Sequence, residues 1–189
     1  MMNLIIGDFI MALSKHLTDT SLYTWAMLRI GLGAIFLWAF LDKLFGLGFA
    51  TCRDAVTDVV SVGCSAAWLY GGSPTEGFLQ FATKGPFADF YQSLAGLAWV
   101  DWLFMLGLAG IGTGLLLGIA VRLVAVAGIM LMLLMWSSLL WPSNNPVIDE
   151  HVIYALVLAG IFVTAQHQKW SLRRHWLKLD IVQRLRFLQ

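Results

Sequence analysis

The sequence predicts an all-α integral membrane protein, a bundle of four transmembrane helices, from three observations. The 189-residue chain is 59% hydrophobic and only 12% charged, whereas soluble domains are about 45–50% apolar and about 25% charged. Four apolar runs each approach the ~20 residues that a helix needs to cross ~30 Å of hydrocarbon. The charged residues are mostly segregated from those runs. We therefore expect a single membrane domain over residues 1–189.

The predicted spans follow the apolar runs in order. They cover residues 22–41, 102–121, 123–141 and 147–165. Only Arg122 separates the second span from the third, which predicts a tight antiparallel hairpin. Prolines at both ends of residues 142–146 predict a turn, because proline cannot continue a helix. In the second span, the spacing of Gly110, Gly114 and Gly118 predicts a ridge for close helix packing.

The placement of lysine and arginine predicts the orientation, because these residues accumulate on the cytoplasmic side. The tail, residues 166–189, is strongly basic, whereas the long connection over residues 42–101 holds more acids than bases. Both termini are therefore predicted to be cytoplasmic, in a multi-pass protein of the cell (inner) membrane with an extracytoplasmic long loop. We expect an interfacial helix over residues 1–15. The tail predicts a basic amphipathic helix on the inner leaflet, with a solvated basic tail as the alternative.

Arg29 lies inside the first predicted span and is the most informative residue of the sequence. A charged guanidinium there costs at least ~2.5 kcal/mol, so an anionic partner, a wet cavity or a polar ligand is expected to offset it. The spacings of three and four residues place Arg29, Gly33, Phe36, Phe40 and Lys43 on one helix face. This cationic, aromatic stripe is expected to face the bundle interior and would suit an anionic or quinone-like head group. The alternative is that Arg29 snorkels to the inner surface.

The fourth predicted span opens with residues suited to proton transfer. Asp149, Glu150 and His151 are consecutive, and Tyr154 follows one turn later. Imidazole titrates near neutral pH, so His151 beside two acids could move a proton. Acids in a first helical turn are also favoured by the helix macrodipole without any function. Lys43 should lie at the same level, and we expect it to pair with Asp149 or Glu150.

The long loop exceeds the ~12–15 residues of an ordinary structureless connection, so it should have organisation of its own. Its second half is rich in Phe and Tyr. It is therefore expected either to fold back as a lid on the outer end of the bundle or to lie against lipid headgroups. Cys52 and Cys64 fall in its first half. The sequence leaves open whether they form a disulfide or remain two unpaired apolar side chains.

Several segments, taken together, resemble one known family. They are LRIGLG with the following FLWAFLDKLFGLGFAT, then GGSPTEGF, ATKGPF, WLFMLGLAGIGTGLLLGI with its arginine, and NNPVIDEHVIYALVL. Through them, residues 22–165 are similar to DoxX/DoxD-type membrane proteins. The resemblance implies a four-helix membrane fold, and the DoxD branch is described as the membrane subunit of a thiosulfate:quinone oxidoreductase. By motif position it implies functional roles for Arg29, Lys43, Asn145, Asp149 and His151.

The expected function is that of a membrane-embedded redox subunit, which oxidises a small anionic sulfur compound such as thiosulfate with quinone as co-substrate. The catalytic candidates are His151, Asp149 and Glu150, which would handle the quinone's protons. The candidate substrate-binding residues are Arg29, Lys43, Phe36, Phe40, Lys84, Asn145 and Tyr154. Among these, Lys43 and Lys84 would attract the anion. No metal or covalent cofactor is expected.

Two other functions are open at this point. One is a non-catalytic scaffold or assembly subunit of a membrane redox complex, in which the basic tail and the aromatic loop dock partner proteins. The other is a membrane protein that binds a small molecule or lipid in the same cavity. The expected partners are the lipid bilayer, a second subunit of a redox complex or further copies of the chain, and no nucleic acid.

Overall fold

The computed structural model describes residues 2–143 and 145–188, with side chains from Asp19 onward except that of Arg186. Its helices are α1 Met2–Phe45, α2 Glu76–Phe81, α3 Ala88–Gln92, α4 Ala98–Leu117, α5 Val121–Ser138, α6 Glu150–Val163, α7 Arg173–Trp176 and α8 Asp180–Arg184. Short 3₁₀ turns occur at Trp68–Tyr70, Ala165–His167 and Arg186–Leu188. The described residues form no strand, only two isolated bridges. The all-α prediction is confirmed.

Three helices are long and apolar enough to cross a membrane, namely Asp19–Phe45 of α1, α4 and α5. Their outward faces carry large apolar side chains such as Met27, Leu106 and Met130, which are all exposed. Continuous apolar surface of this kind suits contact with lipid. Helix α6 is apolar but has 14 residues, about 21 Å at ~1.5 Å per residue. The fourth predicted span therefore stays a prediction.

Helices α1, α4, α5 and α6 share one hydrophobic core. Both α1 and α5 pack against α4 and α6. The core residues are Leu32, Phe36, Leu108, Ile111, Leu115, Val121, Val124, Met132, Ala155, Leu158, Ile161 and Ala165. We call the end where α4 stops and α5 starts the Arg29 end. The opposite end, where α1 and α5 stop and α4 and α6 start, is the His151 end.

Two glycines let α1 and α4 approach closely. A Cβ on Gly33 would lie 2.8 Å from the backbone nitrogen of Leu116, and one on Gly112 would lie 2.6 Å from that of Leu37. The predicted ridge named Gly110 instead, but Gly110 is exposed and faces open space. Residue 112 is about 200° around the helix from residue 110. Gly110 of the predicted ridge therefore does not serve packing, whereas Gly112 does.

Helices α4 and α5 form the predicted tight hairpin, connected by residues 118–120. Gly118 ends α4 with a φ of 66°, which glycine adopts without a steric penalty. Gly114 lies against α5, where a Cβ would come within 2.6 Å of the Val124 side chain. Gly114 of the predicted ridge thus does serve packing, although against α5.

Both terminal segments differ from their predictions. The expected interfacial helix is not a separate element, because residues 2–15 continue without a break into the rest of α1. The expected amphipathic tail helix is divided into α7 and α8 with turns between them. The backbone N–H of Leu172 donates to the carbonyl of Leu117 at 2.8 Å, and Val182 is fully buried. The tail therefore folds against the Arg29 end as two short helices.

Candidate functional site

Arg29 is completely buried (0% exposed). Its guanidinium donates to the side-chain oxygen of Gln168 and to the carbonyls of Leu115, Leu116, Lys169 and Trp170. A guanidinium has five N–H donors, so each donor has an acceptor. The Nε–Gln168 distance is 3.0 Å and the Nη2–Trp170 distance is 2.8 Å. Arg29 therefore does not snorkel, as the alternative interpretation proposed.

Polar but uncharged acceptors take the place of the anionic partner expected for Arg29. The carbonyls of Leu115 and Leu116 belong to the last turn of α4, where backbone oxygens lack helical partners. A positive charge is favourable at such a helix end. The remaining acceptors come from residues 168–170, just after the Ala165–His167 turn. Arg29 thus joins α1, α4 and the start of the tail.

The aromatic part of the stripe faces the interior, as predicted. Phe36 belongs to the hydrophobic core, and Phe40 packs against it. Gly33 lies against α4 and allows the close approach of the two helices. These side chains are occupied in packing between helices. Their predicted role in binding a head group stays a prediction.

Lys43 occupies the His151 end of the stripe and is half-buried. Its Nζ lies 5.9 Å from the centre of the Phe104 ring on α4. The predicted pair with Asp149 or Glu150 is wrong, since neither forms an ion pair with Lys43. The physical reason is that Asp149 is engaged within its own helix and Glu150 is exposed. Lys43 is left as a cation without an ion-pair partner among the described residues.

Asp149 and His151 form a hydrogen-bonded pair at the start of α6. Asp149 is the N-cap of this helix, and its Oδ1 accepts the backbone N–H of His151 at 3.0 Å and of Val152 at 3.3 Å. Its Oδ2 lies 2.8 Å from His151 Nδ1. Both side chains are mostly buried, 11% and 13% exposed respectively. One carboxylate therefore caps the helix and orients the imidazole.

The other two residues of this cluster are placed differently. Glu150 is exposed, whereas Tyr154 is half-buried and packs against the hydrophobic core. Asp149, Glu150 and His151 offer ligand atoms within 4.8 Å of one another. Oxygen and nitrogen donors of this kind can ligate a divalent ion, but acids at a helix start are common without one. The expectation of no metal stays a prediction.

Asn145 and Lys84 are exposed at the His151 end. Asn145 Oδ1 accepts the backbone N–H of Val147 at 2.9 Å and of Ile148 at 3.0 Å, as asparagine does in turns. The backbone N–H of Lys84 donates to the carbonyl of Ser138 at 3.0 Å. The Asn145 side chain therefore shapes the entry to α6. Substrate contacts for both residues stay predictions.

Two buried acids that the sequence did not single out attach the long loop to the His151 end. Asp42 accepts the backbone N–H groups of residues 49–51 at 2.9–3.0 Å. Asp101, in the first turn of α4, accepts the hydroxyls of Ser73 at 2.8 Å and Thr75 at 2.6 Å. In the sequence, the only indication of these two acids was that each lies next to the end of an apolar run.

The second half of the long loop lies against the end of α5. The hydroxyls of Tyr91 and Ser137 are 2.6 Å apart, and Lys84 forms a parallel bridge with Leu139. A Cβ on Gly85 would meet the carbonyl of Leu140, so only glycine fits there. This part of the loop thus packs against the end of α5, and the choice between a lid and a headgroup contact stays a prediction. Its contact with a ligand stays a prediction.

The first half of the loop is closed by a disulfide between Cys52 and Cys64, whose Cα atoms are 5.7 Å apart. Inside this ring, the backbone N–H groups of Thr57 and Val56 and the Thr57 hydroxyl donate to Asp54. These hydrogen bonds, that of the Thr57 backbone first, hold the pKa of Asp54 below its usual value. Of the two possibilities left open by the sequence, the structure has the disulfide.

At the opposite end, Lys169 pairs with Asp19, with 3.0 Å between Nζ and Oδ1. The hydrogen bond from this carboxylate raises the pKa of Lys169. Lys169 Nζ also lies 5.2 Å from the centre of the Tyr23 ring. The start of the tail is therefore attached to α1 through Lys169 as well as through Arg29.

Compared with protein-family models, with curated proteins and with solved structures, the chain matches none of them. The resemblance to DoxX/DoxD-type proteins therefore stays a prediction. The activity and the quinone co-substrate that it implied are carried forward as proposals.

Proposed function

We propose that this protein is a membrane-embedded redox subunit with a proton-transfer site at the His151 end. The observation that carries the proposal is the 2.8 Å hydrogen bond between His151 Nδ1 and Asp149 Oδ2. A carboxylate on one ring nitrogen sets the tautomer and the orientation of the imidazole. Within the described residues nothing bonds to Nε2, so this nitrogen is left to accept and release a proton.

The proposed reaction is the quinone-linked oxidation of a small sulfur anion such as thiosulfate. Two thiosulfate ions lose one electron each and join through a new sulfur–sulfur bond. The quinone takes up those two electrons and two protons and leaves as quinol. His151 would take these two protons from water and pass them to the quinone oxygens one at a time. The proposal includes a partner subunit that carries the electrons between the two substrates.

Lys43 supports the anionic half of this proposal. Its half-buried ammonium group has no ion-pair partner among the described residues. The nearby Asp42 carboxylate is already satisfied by the N–H groups of residues 49–51. An unpaired cation beside a membrane-spanning helix attracts small anions. Lys84, exposed on the loop at the same end, would add to this attraction.

The topology belongs to the same proposal. Residues 147–165, which include α6 and the turns at both its ends, would form the fourth crossing of the cell membrane. Both termini would then be cytoplasmic, with the His151 end outside. The disulfide in the long loop supports this orientation, because disulfides persist on the oxidising side of the membrane.

Thiosulfate-dependent reduction of a short-tailed quinone, followed by ultraviolet absorbance, tests the proposal. The assay uses the full chain purified together with any subunit that accompanies it. We expect His151→Gln to lower kcat by roughly 10²–10⁴-fold, the usual contribution of a general acid–base. Asp149→Asn retains a capping oxygen and should lower the rate while the helix persists.

His167→Gln is the matched control, because His167 is exposed at the Arg29 end. It should leave the rate unchanged. An unchanged rate in His151→Gln, or no thiosulfate-dependent quinone reduction by the wild-type assembly, would overturn the proposed function. Thermal unfolding of each variant in detergent separates loss of chemistry from loss of fold.

A non-catalytic docking subunit is the second candidate, and one specific observation favours it. Phe81, Phe87 and Phe90 are exposed on the long loop, where an apolar patch is typical of a protein or membrane contact. In that case, replacing all three by serine would release the partner subunit during purification. His151→Gln would then leave the activity of the assembled complex intact.

A further inference from the structure

A basic groove of about 550 Å³ lies at the Arg29 end, on the opposite side of the core from His151. Its lining includes Leu22 of α1 and, from the start of the tail, His167, Lys169, Trp170, Arg173 and Arg174. Among the residues whose side chains the structure describes, the lining combines three basic side chains with apolar and uncharged polar ones and contains no carboxylate. A groove of this composition is suited to an anion that carries an apolar part.

Two of the cations are free to bind a ligand. Lys169 is partly neutralised by Asp19 at 3.0 Å. The guanidinium groups of Arg173 and Arg174, in contrast, have no hydrogen bond or ion pair with any described residue. Arg173 is half-buried and also lines the small neighbouring cavity beside Arg122. Guanidinium groups bind phosphate oxygens in a bidentate manner, which makes phosphate the favoured anion.

The apolar side of the groove lies at the end of a membrane-spanning helix. Trp170 is exposed, and its ring centre is 5.2 Å from that of Tyr23 on α1. Paired aromatic rings at a helix end are typical of the membrane interface. One turn further along α1, Met27 and Leu28 are exposed, so acyl chains could extend along this face.

Arg29 makes the floor of the groove rigid. It donates to the carbonyls of Lys169 and Trp170 and to the Gln168 side chain, three consecutive residues of the lining. The backbone of Lys169 and Trp170 and the side chain of Gln168 are therefore held in place before any ligand binds. Such pre-organisation lowers the entropic cost of binding. Arg29 is here a positioning residue, since its own donors are all used within the protein.

We propose that this groove binds the phosphate headgroup of an anionic phospholipid, with Arg173 and Arg174 as the phosphate ligands. The acyl chains then lie against α1 beside Met27. The site is separate from the proposed redox chemistry, which is at the other end of the core.

Native mass spectrometry of the full chain tests the proposal. The protein is released from nanodiscs of phosphatidylcholine that contain about one tenth phosphatidylglycerol. We expect one retained phosphatidylglycerol per chain. The double variant Arg173→Gln/Arg174→Gln should weaken its retention roughly thirtyfold, from two phosphate-facing charges. Lys178→Gln/Arg184→Gln removes two exposed charges of the same tail that lie outside the groove, and it should retain the lipid.

Equal loss of phosphatidylglycerol from both double variants would overturn the proposal, because the tail would then attract the bilayer without a specific site. Equal retention of phosphatidylcholine and phosphatidylglycerol by the wild type would contradict it too. A competition arm adds glycerol phosphate or inorganic phosphate. Displacement of the lipid by either at similar concentration would identify a site for a free anion instead. Unchanged thermal unfolding of the variants in detergent shows that the fold is intact.

Discussion

The two ends of the helical core satisfy their buried charges in opposite ways. The Arg29 end does so with hydrogen-bond acceptors and the His151 end with hydrogen-bond donors. At the Arg29 end, a cation donates to four backbone carbonyls and one amide oxygen. At the His151 end, Asp42, Asp101 and Asp149 accept hydrogen bonds from backbone N–H groups and hydroxyls. Neither Arg29 nor Asp42 has an oppositely charged side chain as hydrogen-bond partner.

This difference follows partly from the direction of α4. Its carbonyl end needs donors, which Arg29 supplies, and its N-terminal end favours an acid, which is Asp101. Asp42 is different, because it is an acid in the last turn of α1. The three N–H groups of the loop compensate for this unfavourable position. Buried charges at both ends therefore attach connecting segments to the core, Arg29 and Asp42 mainly through main-chain groups and Asp101 through hydroxyls.

The largest effect that would test this comparison comes from removing the buried cation. Arg29→Met should destabilise the fold by more than ~3 kcal/mol, because several buried acceptors lose their donors at once. Arg29→Lys should recover only part of that loss, since an ammonium has three donors and no planar fork. Thermal unfolding in detergent, followed by tryptophan fluorescence, measures both changes.

Lys43→Met is the matched control on the same helix face. Lys43 has an aromatic ring near it and no ion pair among the described residues, so its removal should cost less than ~1 kcal/mol. If Lys43→Met proved as destabilising as Arg29→Met, the hydrogen bonds of Arg29 would not explain its contribution to stability.

A smaller effect is expected at the His151 end from Asp42→Ala. Three backbone N–H groups would lose their acceptor, which should cost ~2–3 kcal/mol and loosen residues 46–51. Hydrogen exchange of those amides, read by mass spectrometry, should accelerate. Asp58→Ala removes an exposed ion pair with Arg53, worth ~0–1 kcal/mol. Equal exchange in the two variants would argue against attachment through Asp42.

The smallest effect concerns acid pH and the loop ring between Cys52 and Cys64. The pKa of Asp54 is lowered in the folded loop, so its contribution to stability is fully present above the usual pKa of 3.8. It is lost as the pH falls through the lower folded value. Amide exchange of residues 56 and 57, corrected for its intrinsic pH dependence, should show less protection in that window. In Asp54→Asn this pH dependence should be absent.

Much of the fold could be predicted because it depends on apolar length and turn chemistry. The hairpin at Arg122 and the all-α class needed only the apolar runs and their breaks. The glycine ridge was harder, since Gly110 and Gly112 are equally small and differ only in helical phase. Which of them meets Leu37 depends on the rotation of α4 about its axis, and this rotation is set by tertiary packing.

The site was predicted in part. The inward direction of Arg29 and Phe36 follows from their spacing, and the Asp149–His151 contact follows from their proximity in sequence. The acceptors of Arg29 could not be predicted, because every residue has a backbone carbonyl and the sequence does not show which of them lie near Arg29. The Lys43 pair was wrong for a related reason. From the sequence alone, a carboxylate that caps its own helix cannot be distinguished from one that is available for an ion pair.

The Arg29 contacts also have a consequence for biosynthesis. Its acceptors on α4 and on the tail lie as many as 87 and 141 residues further along the chain. Because translation proceeds from the N-terminus, the guanidinium enters the membrane long before residues 168–170 exist. A chain that stops short of them would retain a partly unmatched charge within the bilayer, which is costly. We expect such incomplete chains to be recognised and degraded, because residues 168–170 supply hydrogen-bond acceptors that the much earlier helix α1 needs.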